Sequence, residues 1–466
     1  MKRLFVVLLV GCGAVPEPPG QGGGSGTAGG GMNTAGGGAT AGGAATAGGA
    51  STAGGGSTAG GGATAGGGMT MPSAPCAPLP APTGTTVRVT PSQAAMLANL
   101  VSSAAANTTF VLADGTYAVP ATGINLSKPG QTLRSESGNP AAVILDGQYT
   151  TNEVVRVTAS DVTVAELTVT RAVDHPVHVY PPTANGNIRG MRFYRVRFVD
   201  GGEQFLKANS ASTSAYTDEG TVECSHFELT NAGRPMVERA VGGCYTGGID
   251  VHGGRGWVVR RNTFKDIYCA GEGLSEHAVH FWTGSRDTLV EQNVITNCAR
   301  GVGFGLGETT AGRVYSPDPY PGVANVGHYG GIIRNNFIWA NHDWFDSGIG
   351  LEQSRGTLVL HNTVVSTAGT SFYTSIDVRF GATVATVRNN LMRRFTQRNS
   401  PTVTADHNLE LAPNALFVDF AAADLHLTAG AAAALNQGVA HAEGGLDIDG
   451  FAHDVGAPDL GAHERR

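Results

Sequence analysis

Charge is what this chain has least of. Only 14% of its 466 residues are Asp, Glu, Lys or Arg, against about 25% in an average soluble protein. None of the four occurs between Glu17 and Arg88. The net charge of −7 argues against a nucleic-acid partner, which calls for a basic surface. Long apolar runs are also missing at the start: Leu4–Val10 spans seven residues, where a bilayer crossing needs about 20. Six cysteines are present, but no two stand in C-x-x-C spacing, so a zinc knuckle is not expected. Helix-capping patterns are scarce, while β-branched, alternating segments abound.

The stretch that lacks charge is rich in glycine: 25 of residues 13–75 are Gly, and Thr-Ala-Gly-Gly begins at 27, 34, 40, 46, 52, 58 and 64. A segment with so little side chain to bury cannot offset its ordering entropy, so residues 13–76 are expected to be a flexible linker. Ahead of it, MKRLFVVLLVGC has the basic start and short apolar run of a secretory signal, residues 1–12. Leu9-Val10-Gly11-Cys12 resembles a bacterial lipobox, which implies acylation of Cys12 and a lipid anchor in the outer membrane. The folded domain, 77–466, is then expected in the cell envelope, facing the periplasm or the cell surface, as a monomer. In an exported protein Cys224, Cys244, Cys269 and Cys298 are free to oxidise. Four cysteines allow three pairings; 224 with 244 and 269 with 298 is the preferred one, leaving Cys76 without a role.

A phrase recurs through the folded part: VVRRNTF (258–264), LVEQNVI (289–295), IIRNNFI (332–338), LVLHNTV (358–364) and TVRNNLM (386–392). Earlier segments keep the frame without Asn, so the key positions are Leu167, Val196, Ser225, Asn262, Asn293, Asn336, Asn362 and Asn390, at intervals of 26 to 43. A period near 28 with alternating apolar residues is the mark of a solenoid. Inward asparagines one coil apart, about 4.8 Å, can bond to each other and to the turn backbone, so they are read as structural. This pattern resembles the right-handed parallel β-helix of the pectate-lyase-like superfamily: all-β, over about 85–430. PSQAAMLANLVSSAAANTTFVLADGTY (91–117) resembles the N-terminal capping helix and first strand of such a fold, and LDIDGFAHDVGAPDLGAHE (446–464) its C-terminal ending. The resemblance is specific for fold; lyases, glycosidases, esterases and adhesins share it.

Each coil carries a second strand 11–14 residues before its Asn: GIDVH, AVHFW, GIGLE and SIDVR. Alternation turns Val251, Phe281, Leu351 and Val378 inward and leaves two outward columns. One reads Asp250, His280, Gly350, Asp377; the other His252, Trp282, Glu352, Arg379. GVGFG (301–305) adds bare positions at Gly301, Gly303 and Gly305, such as a ligand approaches closely, and earlier coils offer His178, Tyr180 and Lys207. The expected function is binding or cleavage of a polysaccharide, foremost as a lyase on uronate polymers. Lys207, His252 or His280 would be the base. Arg379, or Ca²⁺ held by Asp250, Glu352 and Asp377, would neutralise the uronate. Tyr180, Trp282, Gly303 and Gly305 would bind sugar. A glycoside hydrolase using the carboxylates and a non-catalytic surface module that binds glycan or protein are the alternatives. Glu276-His277 would need a third ligand to hold a metal. Asp447-x-Asp449-Gly450 is read as a closing turn rather than a Ca²⁺ site, and the insertions at 181–190, 209–221 and 306–328 as cleft walls, the last beside the glycines.

Overall fold

The computed structural model describes residues 76–183, 186–211, 214–240, 243–271, 273–308, 312–367 and 373–466. The expected signal, Cys12 and the expected linker up to residue 75 lie outside the described residues. The chain winds as a right-handed parallel β-helix, each coil placing one strand in each of three long parallel sheets. The first sheet runs from Thr86–Val89 to Thr402–Asp406, the second from Gly115–Ala118 to Leu391–Met392, the third from Ile124–Leu126 to Phe395–Arg398. Inward side chains stack on their equals one coil on: Phe198, Phe227 and Phe264 lie face to face at 4.4 and 4.6 Å.

The recurring phrase is the corner between the first and second sheets. Just before each ladder position sits a residue with left-handed backbone, including Glu166, Arg195, Cys224, Arg261, Gln292, Asn335, His361 and Asn389. That conformation swings the chain through the corner and turns the following Asn inward. Asn293 Oδ1 accepts from the backbone N–H of Asn262 at 3.0 Å, and Asn336 Oδ1 from that of Asn293 at 2.9 Å. The ladder continues through Asn362 and Asn390, and Asn408 adds a rung the repeat did not reveal. Ser225 joins at the other end, accepting from Val196 N.

A helix, Ala94–Ser103, covers the N-terminal end with Leu97 and Val101 buried, and Gln131 Nε2 donates to the Val101 carbonyl at 2.9 Å. One strand, Thr86–Val89, precedes it and pairs with Thr109–Leu112, so the helix is inserted after the first strand rather than before it. The C-terminal segment does not lie over the last coil. It runs back along the first corner, where Asn335 donates to Gly444 O and Asn389 to Val439 O, and its apolar residues cover Phe337, Trp339, Val365 and Leu391 of the second sheet. Asp447 is a turn residue, as expected: its carboxylate accepts from the backbone N–H groups of Asp449, Phe451 and Glu464.

The disulfides differ from the expected pairing. Cys76 bonds Cys224, Cys244 bonds Cys269, and Cys298 is a buried free thiol. The reason is position on the coil. Cys224 occupies the left-handed first corner and meets the incoming segment, which also packs on this corner through Leu79 N to Glu166 and Tyr194 OH to Ala77 O. Cys244 and Cys269 sit on successive coils at the corner between the second and third sheets. Cys298 lies at that same corner one coil further on, where its thiol meets the Thr296 carbonyl at 3.6 Å.

Candidate functional site

The outer face of the third sheet carries the chemistry. Each strand there starts with one outward residue, then two consecutive inward ones, and alternates afterwards. Phe205 and Leu206, and Ala278 and Val279, are such inward pairs, all fully buried. The double step brings the residue three before each outward position onto the outer face. One column therefore reads Glu153, His175, Gln204, Gly247, His277, Arg300, Ser347, Thr374. Beside it stands Arg156, His178, Lys207, Asp250, His280, Gly303, Gly350, Asp377. His252, Trp282, Glu352 and Arg379 stand in the next column. Simple alternation found the second and third columns and missed the first, with His175, His277 and Arg300.

Asp250 is the hub. Its carboxylate meets Lys207 Nζ at 2.5 Å, His252 Nε2 at 3.2 Å and the indole N–H of Trp282 at 2.7 Å, with His280 Nδ1 at 3.6 Å. Burial alone would raise the Asp250 carboxyl, but the Lys207 ammonium and then His252 outweigh it and hold it well below the usual carboxylate range. Lys207 is 4% exposed. Burial works against its charge, yet Asp250 and the Tyr245 hydroxyl keep its pKa above the ordinary lysine value. Lys207 is therefore held as an ammonium against Asp250, which disfavours it as the expected base. Burial lowers His252, against the pull of Asp250, so its imidazole is neutral at pH 7. A carboxylate only accepts, which puts the His252 proton on Nε2 and the lone pair on Nδ1. His280 donates from Nε2 to the Gly305 carbonyl at 3.0 Å and stacks parallel to Trp282, ring centroids 5.5 Å apart.

The remaining expected residues do not join this cluster. Glu352 pairs with Arg379 at 2.5 Å and accepts from Gly307 N, while Asp377 is buried against Arg398. Asp250 stands three rungs from Glu352 and four from Asp377, roughly 14 and 19 Å. The expected Ca²⁺ set therefore does not converge, and Arg379 is as distant as Asp377. The glycines are not a bare floor either. A Cβ on Gly303 would meet His277 Nε2 at 2.6 Å, so that position is filled by the imidazole. Gly305 has φ +78°, and a Cβ there would meet the Glu352 carbonyl at 1.7 Å. Gly301 faces inward onto Ile338. Tyr180 is 41% exposed and tilted on His178.

The walls also differ from expectation. Ile188–Arg189 pairs with Thr217–Asp218, and Arg313 meets Asp218 and the Gly253 carbonyl. The described parts of all three expected insertions thus gather on the corner from third to first sheet, where Gly327 of the last lies against Gly305. The opposite corner is built up instead by the described residues of 229–246, with the helix Arg234–Ala240, and of 266–276. These supply Tyr245 and Glu276. Two cavities of about 330 Å³, around His426 and Asp449 and around Asp218 and Arg255, lie elsewhere.

No family model and no curated protein matches the chain. Among solved structures, a pectate lyase, Pel9A, aligns at 15% identity with a TM-score of 0.50, covering 83% of this chain and 97% of its own. An alginate lyase from Paenibacillus sp. str. FPU-7 aligns at 15% identity and TM-score 0.46, over 70% and 99% of the two chains. A mannuronic-acid-specific family 6 polysaccharide lyase from human gut microbiota gives 13% and 0.42, over 69% and 82%. At such identities the likeness is one of fold: a parallel β-helix of the pectate-lyase-like type.

Proposed function

We propose that the third-sheet face around Asp250 binds a uronate-containing polysaccharide and cleaves it by β-elimination, with His252 as the base. The observation that carries this reading is the Asp250–His252 pair: a buried carboxylate orients a neutral imidazole whose side chain is still 19% exposed. Such a carboxylate fixes the tautomer of the base and stabilises the imidazolium once formed. That a pectate lyase has this fold supports the choice of substrate class.

His252 Nδ1 takes the proton from the carbon next to the uronate carboxylate. The electron pair left there forms the double bond to the neighbouring carbon, whose bond to the glycosidic oxygen breaks. Tyr245, protonated and raised in pKa by burial, gives its proton to that oxygen. Trp282 and the exposed ring of Tyr180 offer flat surfaces for sugar rings. Hydrolysis by two carboxylates is disfavoured, since Asp250 and Glu352, roughly 14 Å apart, exceed the spacing of about 6.5–9.5 Å that even inverting enzymes use, and Glu352 and Asp377, on adjacent rungs, are each paired with an arginine. The signal, lipobox and linker support a tethered protein of the cell envelope.

The reading is tested by the pH–rate profile of the full chain on pectate and alginate beside H252A. The wild type should lose activity on an acid limb as His252 takes up a proton, below the ordinary histidine range. H252A should be slower by about 10²–10⁴-fold. Equal rates for the two proteins would remove His252 from the mechanism. Tight binding to glycan with no product would favour the non-catalytic module.

A further inference from the structure

The double inward step places His277 beside His280 on the outer face, with Glu276 at its edge. We propose that Glu276, His277 and His280 form a binding site for one divalent transition metal ion of the zinc class. Their ligand atoms lie within 4.8 Å of one another. Glu276 Oε2 is 4.0 Å from Nδ1 of each histidine, and the two rings stand 4.4 Å apart. Donors at about 2.1 Å from one tetrahedral ion are about 3.4 Å apart, so the pairs with Glu276 need to close by roughly 0.6 Å, within the reach of side-chain rotation.

Two independent features point to a ligand here. His277 is 8% exposed, and its buried Nδ1 has no hydrogen-bond partner. Buried polar nitrogens are seldom left so. His280 donates from Nε2 to the Gly305 carbonyl, which leaves a lone pair on Nδ1 pointing among the carboxylates of Glu276 and Asp250. A metal-binding histidine commonly has its other nitrogen anchored in this way. Two imidazoles and one carboxylate suit zinc-like ions; Ca²⁺ prefers six or more oxygens. Arg300, 4.0 Å from Glu276 and 3.4 Å from Asp346, competes for the Glu276 carboxylate and retains Asp346 when the ion enters.

Gly303 belongs to this design. A Cβ there would strike the His277 ring at 2.6 Å, so G303A displaces a ligand without removing one. The ion's affinity is independent of the elimination reading. Only its use as the cation that meets a uronate carboxylate rests on that reading.

The test is calorimetry of the full chain, freed of metal by chelation and titrated with Zn²⁺, Co²⁺ or Ca²⁺ in the absence of saccharide. One Zn²⁺ per chain is expected, with visible Co²⁺ bands of nitrogen coordination and no Ca²⁺ uptake at this site. E276Q, H277A and G303A should each weaken Zn²⁺ by about tenfold or more, R300A should tighten it, and H463A, lining the cavity around His426 and Asp449, should change nothing. Far-UV circular dichroism confirms that each variant is folded. A folded wild type that takes up no Zn²⁺ would overturn the proposal. So would E276Q and G303A binding as the wild type does, or Ca²⁺ displacing Zn²⁺ from the site.

Discussion

Removing the Asp250 charge while leaving Lys207 in place should cost far more than removing Lys207. Both groups are nearly inaccessible, at 3% and 4%. In D250N the ammonium keeps the Tyr245 hydroxyl but has no counter-charge. Breaking a buried pair from one side typically costs about 3–5 kcal/mol, which for a unit of this size means a melting temperature lower by roughly 4–6 °C. In K207M the carboxylate still accepts from Trp282 and His252, so the loss should be nearer about 1–3 kcal/mol. The double variant should be less unstable than the two losses summed, by about 2 kcal/mol or more. The pH dependence has a definite sign. Asp250 has a depressed folded-state pKa, so its contribution is present above its unfolded value and lost as pH falls through the folded one. Lys207 is raised, so its contribution is present below its unfolded value and lost as pH climbs through the folded one. Between about pH 5 and pH 9 the contribution of the wild-type pair should therefore be flat. Urea and thermal melts with hydrogen exchange on Gly247–His252 measure it. Equal, mild and additive losses would refute a desolvated hub.

N293A should cost about 3–4 kcal/mol, because it strips acceptors from the backbone N–H and amide of Asn262 and leaves the Val259 carbonyl without its amide donor; an effect below 1 kcal/mol in urea melts would contradict the ladder. Peptide mapping without reduction should return Cys76–Cys224 and Cys244–Cys269. C244S should lose about 3 kcal/mol, and iodoacetamide should reach Cys298, its thiol pushed up to about 12 by burial, only after unfolding. Burial raises Glu203 from 4.5 to about 7, so the folded state holds a proton the unfolded state releases. Its contribution should erode as pH rises from 4.5 to 7, and E203Q should flatten that limb of the stability profile.

The repeat was legible because the corner demands it: a left-handed residue followed by an inward amide leaves the same two-residue trace on coil after coil. The core columns followed from alternation for the same reason. The site was only half legible. Asp250, His252, His280 and Trp282 obey alternation, whereas His277 reaches the outer face only because Ala278 and Val279 both turn inward. The bareness of Gly303 and Gly305 was misread: one makes room for an imidazole and the other for a backbone carbonyl, and neither reason is local in sequence. The calcium set failed because outward position says nothing of rung number. Cysteines pair by corner and coil, so Cys76 found its partner 148 residues away. One further signal was available: His-x-x-His occurs both at 175–178 and at 277–280, which places two histidines on adjacent outer columns twice.

The most direct measurement is the chemical identity of the product. The full chain would be incubated with pectate, alginate and neutral glycans, and the fragments analysed by absorbance and mass spectrometry. Elimination at the Asp250–His252 site predicts unsaturated uronate ends on uronate polymers, with no water added and about 10²–10⁴-fold slower formation by H252A. Saturated fragments carrying the added water, or no fragments from any uronate polymer, would contradict it.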